Sequence, residues 1–259
     1  MSVSRIVKSR SGLWVGLSLS CAVPSIWHGL SAGTQAVTLK VDDPRPLAAM
    51  VDALERRYGW VITYEELPYV HAMDIADQTL AVRRDSRADM VLVPRGGALA
   101  FTLSAPAVGQ SSPDRGLLET LLDRYHSSGL PGGTFRLLQV GSGFHVIPAT
   151  LRNAQGALEP RTALLDTAIS IADAQRNALQ MVQAITNALT ESAGIRVVPG
   201  TMPTNLLHQT RVQGGAQGEV ARSVLLRTLG ASKLRLSWRL LCTPGSAPRC
   251  ALNVHGVRD

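Results

Sequence analysis

The chain has 259 residues, enough for one large domain or two ordinary ones with real hydrophobic cores. Apolar residues make up 45% of it and charged residues 17%, a composition that excludes general disorder. The formal net charge is +7, but the 26 basic residues are scattered and lack the interleaved aromatics of a nucleic-acid surface. We therefore expect no nucleic-acid partner, with a polyanion or membrane-surface role as the minor alternative.

The N-terminal segment has the pattern of an export signal. Three basic residues precede an apolar run over residues 13–27, and residues 34–36 are the best cleavage site, with residues 20–22 as a second. Pro24 interrupts the run, which is shorter than the roughly 20 residues of a membrane-spanning helix, so a signal is favoured over an anchor or a cytosolic helix. We predict a signal peptide over residues 1–36 and a periplasmic or secreted protein without a transmembrane segment. Signal removal lowers the net charge to +4, because residues 1–36 hold three basic and no acidic residues.

Cys21 offers an alternative fate for the N-terminus. Residues 17–21 faintly resemble a lipoprotein cleavage box, in which the Cys becomes lipidated. Ser18 stands where that pattern has Leu, three residues before the Cys. An outer-membrane lipoprotein anchored through Cys21 is therefore the minor alternative for localisation.

The other two cysteines, Cys242 and Cys250, flank a turn-rich loop between two strand-like runs. Paired cysteines at the base of a hairpin predict a cross-strand disulfide in an oxidising compartment. So small a loop contributes on the order of 2–3 kcal/mol by restricting the unfolded chain. Two free thiols are the alternative, and a zinc site is disfavoured because His255 alone does not complete four ligands.

The mature chain opens with a strand–helix–strand unit. Residues 37–41 alternate apolar and polar side chains, the period of a half-buried strand. The helix that follows has an apolar stripe formed by Leu47, Met50, Val51, Leu54 and Tyr58. Gly59 supplies a left-handed stop, and the β-branched and aromatic residues 60–64 predict the next strand.

The rest of the first half becomes regular only after residue 95. Residues 66–95 resist assignment, with 90–93 as the best strand among them. Residues 99–103 alternate again, and a loop leads to a helix that Ser112 caps. The apolar stripe of that helix is Leu117, Leu118, Leu121, Leu122 and Tyr125. Residues 135–140 and 144–147 then predict a hairpin.

The second half repeats this order after a polar linker at residues 149–162. A strand over residues 163–171 precedes a long helix over about 175–193, for which Asp173 is a good N-cap. Strands over 195–198 and 208–212 follow, and a glycine-rich stretch leads into a helix that ends at Gly230. Residues 234–241 and 251–257 form the closing hairpin.

These patterns predict an α+β fold of two similar lobes, each built of strand–helix–strand units with a closing β-hairpin. The first lobe covers residues 37–148, and the second, with the stapled hairpin, covers residues 163–259. All four predicted helices end at a glycine and precede a strand, which favours an internal duplication. The alternative is that this order of elements is common among α+β chains and does not reflect a duplication.

No stretch carries a convincing catalytic or ligand-binding pattern. Residues 29–33 match the nucleophile-elbow string of hydrolases, but they lie in the segment that we expect to be cleaved. Residues 214–218 precede a predicted helix, whose N–H groups are suited to an anion, yet the Lys-Ser/Thr signature of a phosphate loop is missing. On an extended backbone the adjacent carboxylates of Glu65 and Glu66 point opposite ways and form no acid–base pair.

Five histidines remain after signal removal, and none has a second His at metal-ligand spacing; they are His71, His126, His145, His208 and His255. We therefore predict no catalytic, metal or cofactor-binding residue and no cofactor. Enzymatic activity stays uncertain, with a non-enzyme favoured.

Residues 99–147 resemble the short N-terminal domain shared by secretins and TonB-dependent receptors. The likeness rests on a strand, a leucine-rich helix over residues 117–122, a glycine and the hairpin over 135–147. Residues 37–64 are similar to the strand–helix–strand unit that precedes it in those domains, and residues 163–257 match more loosely. The chain departs from the family in its long middle segment, residues 66–95, and in lacking a receptor barrel or secretin pore behind it. The resemblance implies a periplasmic docking or signalling module and carries over no catalytic residue.

The sequence thus favours an exported, non-enzymatic docking or signalling module of the bacterial cell envelope, whose partner is another envelope protein. The alternative is a periplasmic ligand-binding protein or envelope hydrolase with a site between the lobes. A deep polar pocket there would favour the alternative, and open sheet edges without one would favour docking. The oligomeric state stays open.

Overall fold

The computed structural model describes residues 36–82, 90–105, 110, 113–141 and 143–258, so the predictions for residues 1–35 and for Ser112 lie outside the described residues. The helices are α1 (Pro46–Tyr58), α2 (Thr79–Val82), α3 (Arg115–Ser127), α4 (Ala178–Ala193), α5 (Thr204–Gln209) and α6 (Ala221–Gly230). The first eight strands are β1 (Ala36–Asp43), β2 (Ile62–Glu65), β3 (Ile75–Asp77), β4 (Leu92–Pro94), β5 (Gly97–Ser104), β6 (Gly133–Val140), β7 (Gly143–Arg152) and β8 (Leu158–Pro160). The other strands are β9 (Ala168–Ile171), β10 (Arg176–Asn177), β11 (Arg196–Pro199), β12 (Arg211–Val212), β13 (Ala216–Val220), β14 (Leu236–Cys242) and β15 (Arg249–Gly256). The predicted α+β class is confirmed.

The first half packs two helices between two small sheets. β1 and β5 form an antiparallel pair, while β7 lies between β2, to which it is parallel, and β6, to which it is antiparallel. The apolar stripes of α1 and α3 pack into one core with residues of both sheets, such as Phe101 and Val146. Gly59 ends α1 with a φ of 66°, as predicted, because glycine adopts the left-handed region without strain.

The second half repeats these pairings and adds the short antiparallel pair of β10 and β12. β9 and β13 form the antiparallel pair, while β15 lies between β11, to which it is parallel, and β14, to which it is antiparallel. The apolar faces of α4 and α6 pack into a second core with Trp238 and Leu252. Gly194 ends α4 with the same φ of 66°. The β3–α2–β4 segment has no counterpart in the described second half.

The two halves share one sheet, because β14 pairs in parallel with β2. The strand order across this seven-stranded sheet is β11-β15-β14-β2-β7-β6, with β8 paired to the far end of β7. The arrangement is head-to-tail, since the β14 edge of the second half meets the β2 edge of the first. β6 and β11 are left at the two ends of the strand order.

The helices of the two halves cover opposite faces of this sheet. Trp238 and Leu240 of β14 lie in the core of the second half, whereas Arg239 between them contacts Asp52 and Glu55 of α1. Since alternate side chains of a strand point to opposite faces, α1 lies on one face and the second core on the other. The equivalent strands also run in opposite directions, because β14, β2 and β7 are parallel whereas β15 and β11 are antiparallel to them.

Two strands predicted in the second half are shorter in the structure, and one predicted helix cap is wrong. The strand predicted over residues 208–212 begins only at Arg211, because residues 208 and 209 end the helix α5, which buries Leu207 and starts directly after Pro203, whose fixed φ suits a helix start. The strand predicted over residues 163–171 begins only at Ala168, because residues 164–166 form a 3₁₀ turn. Asn177 caps α4 in place of Asp173, through a reciprocal pair of bonds with Gln180.

The stretch predicted as a linker contains strands. β7 continues to Arg152, and β8 pairs back onto residues 150–152. Its polar sequence reflects an exposed hairpin tip with an Asn153 turn, in which the Asn153 side chain accepts from two backbone N–H groups. With this hairpin and the shared sheet between them, the separation into two lobes stays a prediction.

Candidate functional site

Buried carboxylates concentrate where β14 joins β2. Glu55 at the end of α1, and Glu65 and Glu66 at the end of β2, are 5%, 1% and 2% exposed. Each carboxylate accepts a bond from a backbone N–H and another from an arginine. We call these three carboxylates, together with Arg45, Arg222 and Arg239, the interface network. Buried charges in proteins are tolerated when paired in this manner.

Glu55 ties α1 to both strands of the closing hairpin. Its Oε1 accepts the backbone N–H of Ile62 at 3.0 Å, and its Oε2 accepts from Arg239 Nη2 at 2.5 Å and from His255 Nε2 at 2.8 Å. Burial works to raise the pKa of Glu55, but His255, Arg239 and further hydrogen bonds together hold that pKa below its ordinary value. Glu55 is therefore an ionised anchor for the second half.

Asp52, Glu55 and His255 also have the composition of a metal site. One ligand atom from each lies within 4.8 Å of the others. Arg239 occupies the space between the carboxylates, however, because its Nη2 lies 2.7 Å from Asp52 Oδ1 and 2.5 Å from Glu55 Oε2. A guanidinium there supplies the positive charge that a cation would bring, so this donor set fits an ion pair and not a metal.

Glu65 reaches in the opposite direction, into the second half. Its Oε1 accepts the backbone N–H of Leu165 at 3.0 Å, and its Oε2 accepts from Arg222 Nη2 of α6 at 2.7 Å. Arg222 Nε donates to Asp166 Oδ1 at 2.9 Å, so one guanidinium joins both carboxylates. Burial raises the pKa of Glu65 although Arg222 and the Leu165 N–H work against it.

Glu66 holds the cysteine hairpin. Its Oε2 accepts the backbone N–H of Cys242 at 2.6 Å, and its Oε1 accepts from Arg45 Nε at 2.7 Å. Arg45 Nη2 also donates to the carbonyl oxygen of Cys242 at 3.0 Å. Burial raises the pKa of Glu66 to about 7 against the opposing charge of Arg45. Glu65 and Glu66 thus point opposite ways, as the extended backbone predicts, and form no acid–base pair.

The two cysteines that the sequence singled out lie directly opposite each other in β14 and β15. The sulfur atoms of Cys242 and Cys250 are 2.04 Å apart, which is the distance of a disulfide. His255, the only third ligand considered for a zinc site, instead contacts Glu55. The pair is therefore placed for a cross-strand staple and not for a metal.

His145 is the most buried of the five histidines, at 1% exposure. Its Nδ1 shares a hydrogen bond of 2.7 Å with Thr63 Oγ1, and its ring stacks on Trp238 across the joint. Burial, with Arg222 nearby, lowers its pKa to about 4, so the ring is neutral near pH 7. His145 Nε2, Arg222 Nη1 and Trp238 Nε1 are buried without a protein hydrogen-bond partner among the described residues. The ring is enclosed by both halves, which indicates a packing role.

The other motifs from the sequence do not converge on this region. Residues 214–218 run into β13, and the chain extends to Val220 before α6 starts, so these glycines do not form the N-terminus of a helix. His208 lies exposed in α5, His126 accepts the Phe135 N–H, and His71 contacts a loop carbonyl. The nucleophile-elbow string at residues 29–33 lies outside the described residues.

A small cavity lies between the two halves of the described chain. The cavity there, bounded by Glu66, Arg161 and Cys250 among others, measures about 10 Å³, which is room for a single water molecule. A larger cleft of about 400 Å³ lies wholly in the first half, beside Thr102 and Asp114. Within the described part of the chain, the carboxylates of the interface network are each bound to an arginine and to a backbone N–H.

The functional residues that sequence reasoning missed are the arginines of the interface network. Arg239 sits between apolar residues of a strand, and Arg222 sits on the inward face of a helix. A charged residue at a position where the strand or helix period calls for an apolar side chain indicates a buried ion pair. Both arginines stand at such positions. Glu55, the partner of Arg239, lies 184 residues away in sequence, and Glu65, the partner of Arg222, lies 157 residues away. No local pattern reveals pairings over such distances.

The comparisons with known proteins add no information to these structural observations. In the described residues, no helix combines the length and the apolar character needed to cross a bilayer. The chain matches no protein-family model, and neither a curated protein nor a solved structure shows significant similarity to it. The resemblance to the short N-terminal domain of secretins and TonB-dependent receptors therefore stays a prediction.

Proposed function

We propose that the protein is an exported, non-enzymatic docking module of the bacterial cell envelope, which binds another envelope protein through the edges of its sheet. An extended segment that adds to an exposed edge gains main-chain hydrogen bonds, and side chains on both faces set the specificity. The joint between β14 and β2 carries this proposal, because the two halves of the chain recognise each other there by strand addition with buried ion pairs on each face.

The edge strands at the two ends of the sheet also support the proposed docking function. Among the described residues, β6 pairs with β7 alone and β11 with β15 alone. Unpaired edges attract other strands, so a protein that keeps two of them needs a partner or a protective device. The cysteine pair at disulfide distance is compatible with an oxidising compartment outside the cytoplasm.

The alternative, a ligand-binding protein or hydrolase with a site between the halves, needs an open polar pocket at the joint. The described joint instead holds a cavity with room for one water molecule, and each buried carboxylate there is paired with an arginine. No observation among the described residues favours this second function.

Photo-cross-linking in the cells that make the protein tests the proposal. A cross-linking side chain at Gln139 of β6 or at Arg196 of β11, both exposed, should trap one envelope protein of discrete mass. The purified pair should then re-form the same product. Glu191, exposed on α4, gives the matched control and should trap none. A chain that gives no product from either edge is not a docking module of this kind.

A further inference from the structure

The two edge strands differ, and the internal joint shows how. Register identifies equivalent residues: Arg136 of β6 pairs with Ile147 of β7, and Arg239 of β14 pairs with Asn253 of β15. β7 pairs with β2 at the same offset at which β15 pairs with β11, because Phe144 faces Ile62 in the first pair and Cys250 faces Val197 in the second. Arg136 is therefore the structural counterpart of Arg239.

Local sequence supports this equivalence. Phe135-Arg136-Leu137-Leu138 and Trp238-Arg239-Leu240-Leu241 occupy corresponding places, and the aromatic residue of each is buried in the core of its own half. In both strands the arginine alternates with core residues, so it projects to the face opposite the helices of its half. At the joint, that is the face on which α1 of the other half lies.

Arg239 shows what this position does when a partner is present. β14 pairs in parallel with β2, and the guanidinium of Arg239 binds Asp52 and Glu55 on the helix that precedes β2. Its side chain is 6% exposed in this arrangement. A strand edge together with two carboxylates on the preceding helix is thus the complement of β14.

Arg136 has the same position without that complement. Its side chain is 52% exposed, and its only described ion pair is a loose one, with 3.6 Å between Arg136 Nη2 and Asp166 Oδ2. Exposed pairs of this kind contribute little to stability. The β6 edge and Arg136 together therefore present the same features that β14 and Arg239 present at the joint.

The free edge of β11 does not offer the matching surface to a second copy. Gly194 and Gly59 align the two long helices, which places Asn187 at the position of Asp52 and Thr190 at that of Glu55. Gly200 donates its N–H inward, to the carbonyl oxygen of Leu252 in β15. Backbone N–H groups alternate in direction along a strand, so the neighbouring Pro199 is the residue whose N–H would point outward. Tyr64 holds the equivalent place in β2, where its N–H is directed toward the joining strand β14. Proline has no N–H to donate, and it protects strand edges for this reason.

We propose that β6 is the docking edge, and that its partner is a different protein that supplies a strand parallel to β6, preceded by a helix with two carboxylates over Arg136. The proposal rests on the docking function above and adds the edge and the chemistry of the partner. It follows from continuity with the joint at β14 and from the exposed charge of Arg136.

The chain itself supplies the probe. The triple variant Asn187→Asp/Thr190→Glu/Pro199→Tyr gives β11 and α4 the features of β2 and α1. We expect wild type to be monomeric, and the triple variant to form head-to-tail oligomers in sedimentation velocity. Adding Arg136→Glu should return the triple variant to monomer. A folded triple variant that stays monomeric overturns the proposal, and so does wild-type self-association that Arg136→Glu abolishes.

A second measurement covers a triple variant that fails to fold. Arg136→Glu alone changes an exposed side chain, and it should reduce the cross-link from Gln139 at least tenfold while Arg136→Lys keeps most of it. An unchanged cross-link in Arg136→Glu, or a product from Arg196 only, overturns this inference and leaves the docking function standing. Absence of any product from both edges overturns the docking function itself.

Discussion

Glu55 and Thr190 make the same backbone contact in the two halves of the chain. Glu55 Oε1 accepts the N–H of Ile62 at 3.0 Å, and Thr190 Oγ1 accepts the N–H of Val197 at 2.9 Å. Each side chain lies four residues before the glycine that ends its helix, and each fixes the start of the parallel strand that follows. The two side chains thus play the same structural role with different chemistry, and only the carboxylate of Glu55 also binds Arg239 of the second half.

Removal of the Thr190 hydroxyl should destabilise the second half. Thr190→Val keeps the shape of the side chain but leaves the Val197 N–H without its acceptor, which costs about 1–3 kcal/mol of unfolding free energy for a buried group. Urea unfolding measures the loss. Thr190→Ser retains the hydroxyl and is the control, expected to lose about 1 kcal/mol or less. Equal losses in both variants would show that the methyl group, and not the hydrogen bond, is what matters.

Loss of Arg239 should be among the most destabilising single changes. Arg239→Met leaves the buried Glu55 without its main counter-charge, and breaking such a pair costs about 3–5 kcal/mol. Arg115→Met is the matched control, because Arg115 and Glu119 form a half-exposed pair worth about 0.5 kcal/mol. Denaturant unfolding of both variants gives the comparison. Similar small losses in the two would mean that Glu55 does not depend on Arg239.

Local pattern predicted the parts of the fold that depend on local physics. Apolar periodicity placed α1, α3 and α4, and Gly59 marked the end of α1 because its left-handed φ suits glycine. Alternation placed the two hairpins. These features need only neighbouring residues to decide them.

The joint between the halves depends on distant residues, and sequence reasoning could not place it. The pairing of β14 with β2 brings Arg239 within reach of Glu55 across 184 positions, and no periodicity encodes that choice. Residues 208–212 show a second limit. Residues 208 and 209 belong to α5, which buries Leu207 against the core of the second half, so tertiary packing overrides their β-like composition and only residues 211–212 form a strand.

Reduction of the bond between Cys242 and Cys250 should lower the free energy of unfolding by a moderate amount. A bridge between Cys242 and Cys250 closes a short loop, which predicts a loss of about 2–3 kcal/mol in unfolding free energy on reduction. Non-reducing mass spectrometry of protein from the envelope should find the two cysteines linked. The double variant Cys242→Ser/Cys250→Ser should match the reduced wild type and should not respond to reductant. Free thiols at both positions in exported protein would refute the staple.

The mature N-terminus should reveal the route of export. Cleavage after Ala36 leaves Val37 as the first residue and removes Cys21, whereas lipidation would make a modified Cys21 the first residue. Intact-mass measurement on protein from cell fractions separates the two. A Cys21→Ser variant is the control, because it should be processed normally in the first case and should lose its membrane association in the second. Recovery of the chain in the cytosol with Met1 intact would remove the export proposal.

His145 should make the fold sensitive to mild acid. Burial lowers its pKa from the ordinary 6.5 to about 4, so the unfolded chain takes up a proton before the folded one does. Its contribution is therefore complete above about pH 6.5 and falls away between pH 6.5 and 4, by about 3 kcal/mol in all. Urea unfolding across this range should show the loss.

Two of the three buried glutamates, Glu65 and Glu66, act in the opposite sense, so the wild-type curve alone does not isolate His145. Burial raises the pKa values of Glu65 and Glu66, and each then favours the folded state as the pH falls. The difference between wild type and His145→Gln removes their share. We expect the variant to lose less stability than wild type between pH 6.5 and 4. Parallel curves for wild type and His145→Gln would show that the ring is protonated in the folded protein at no cost.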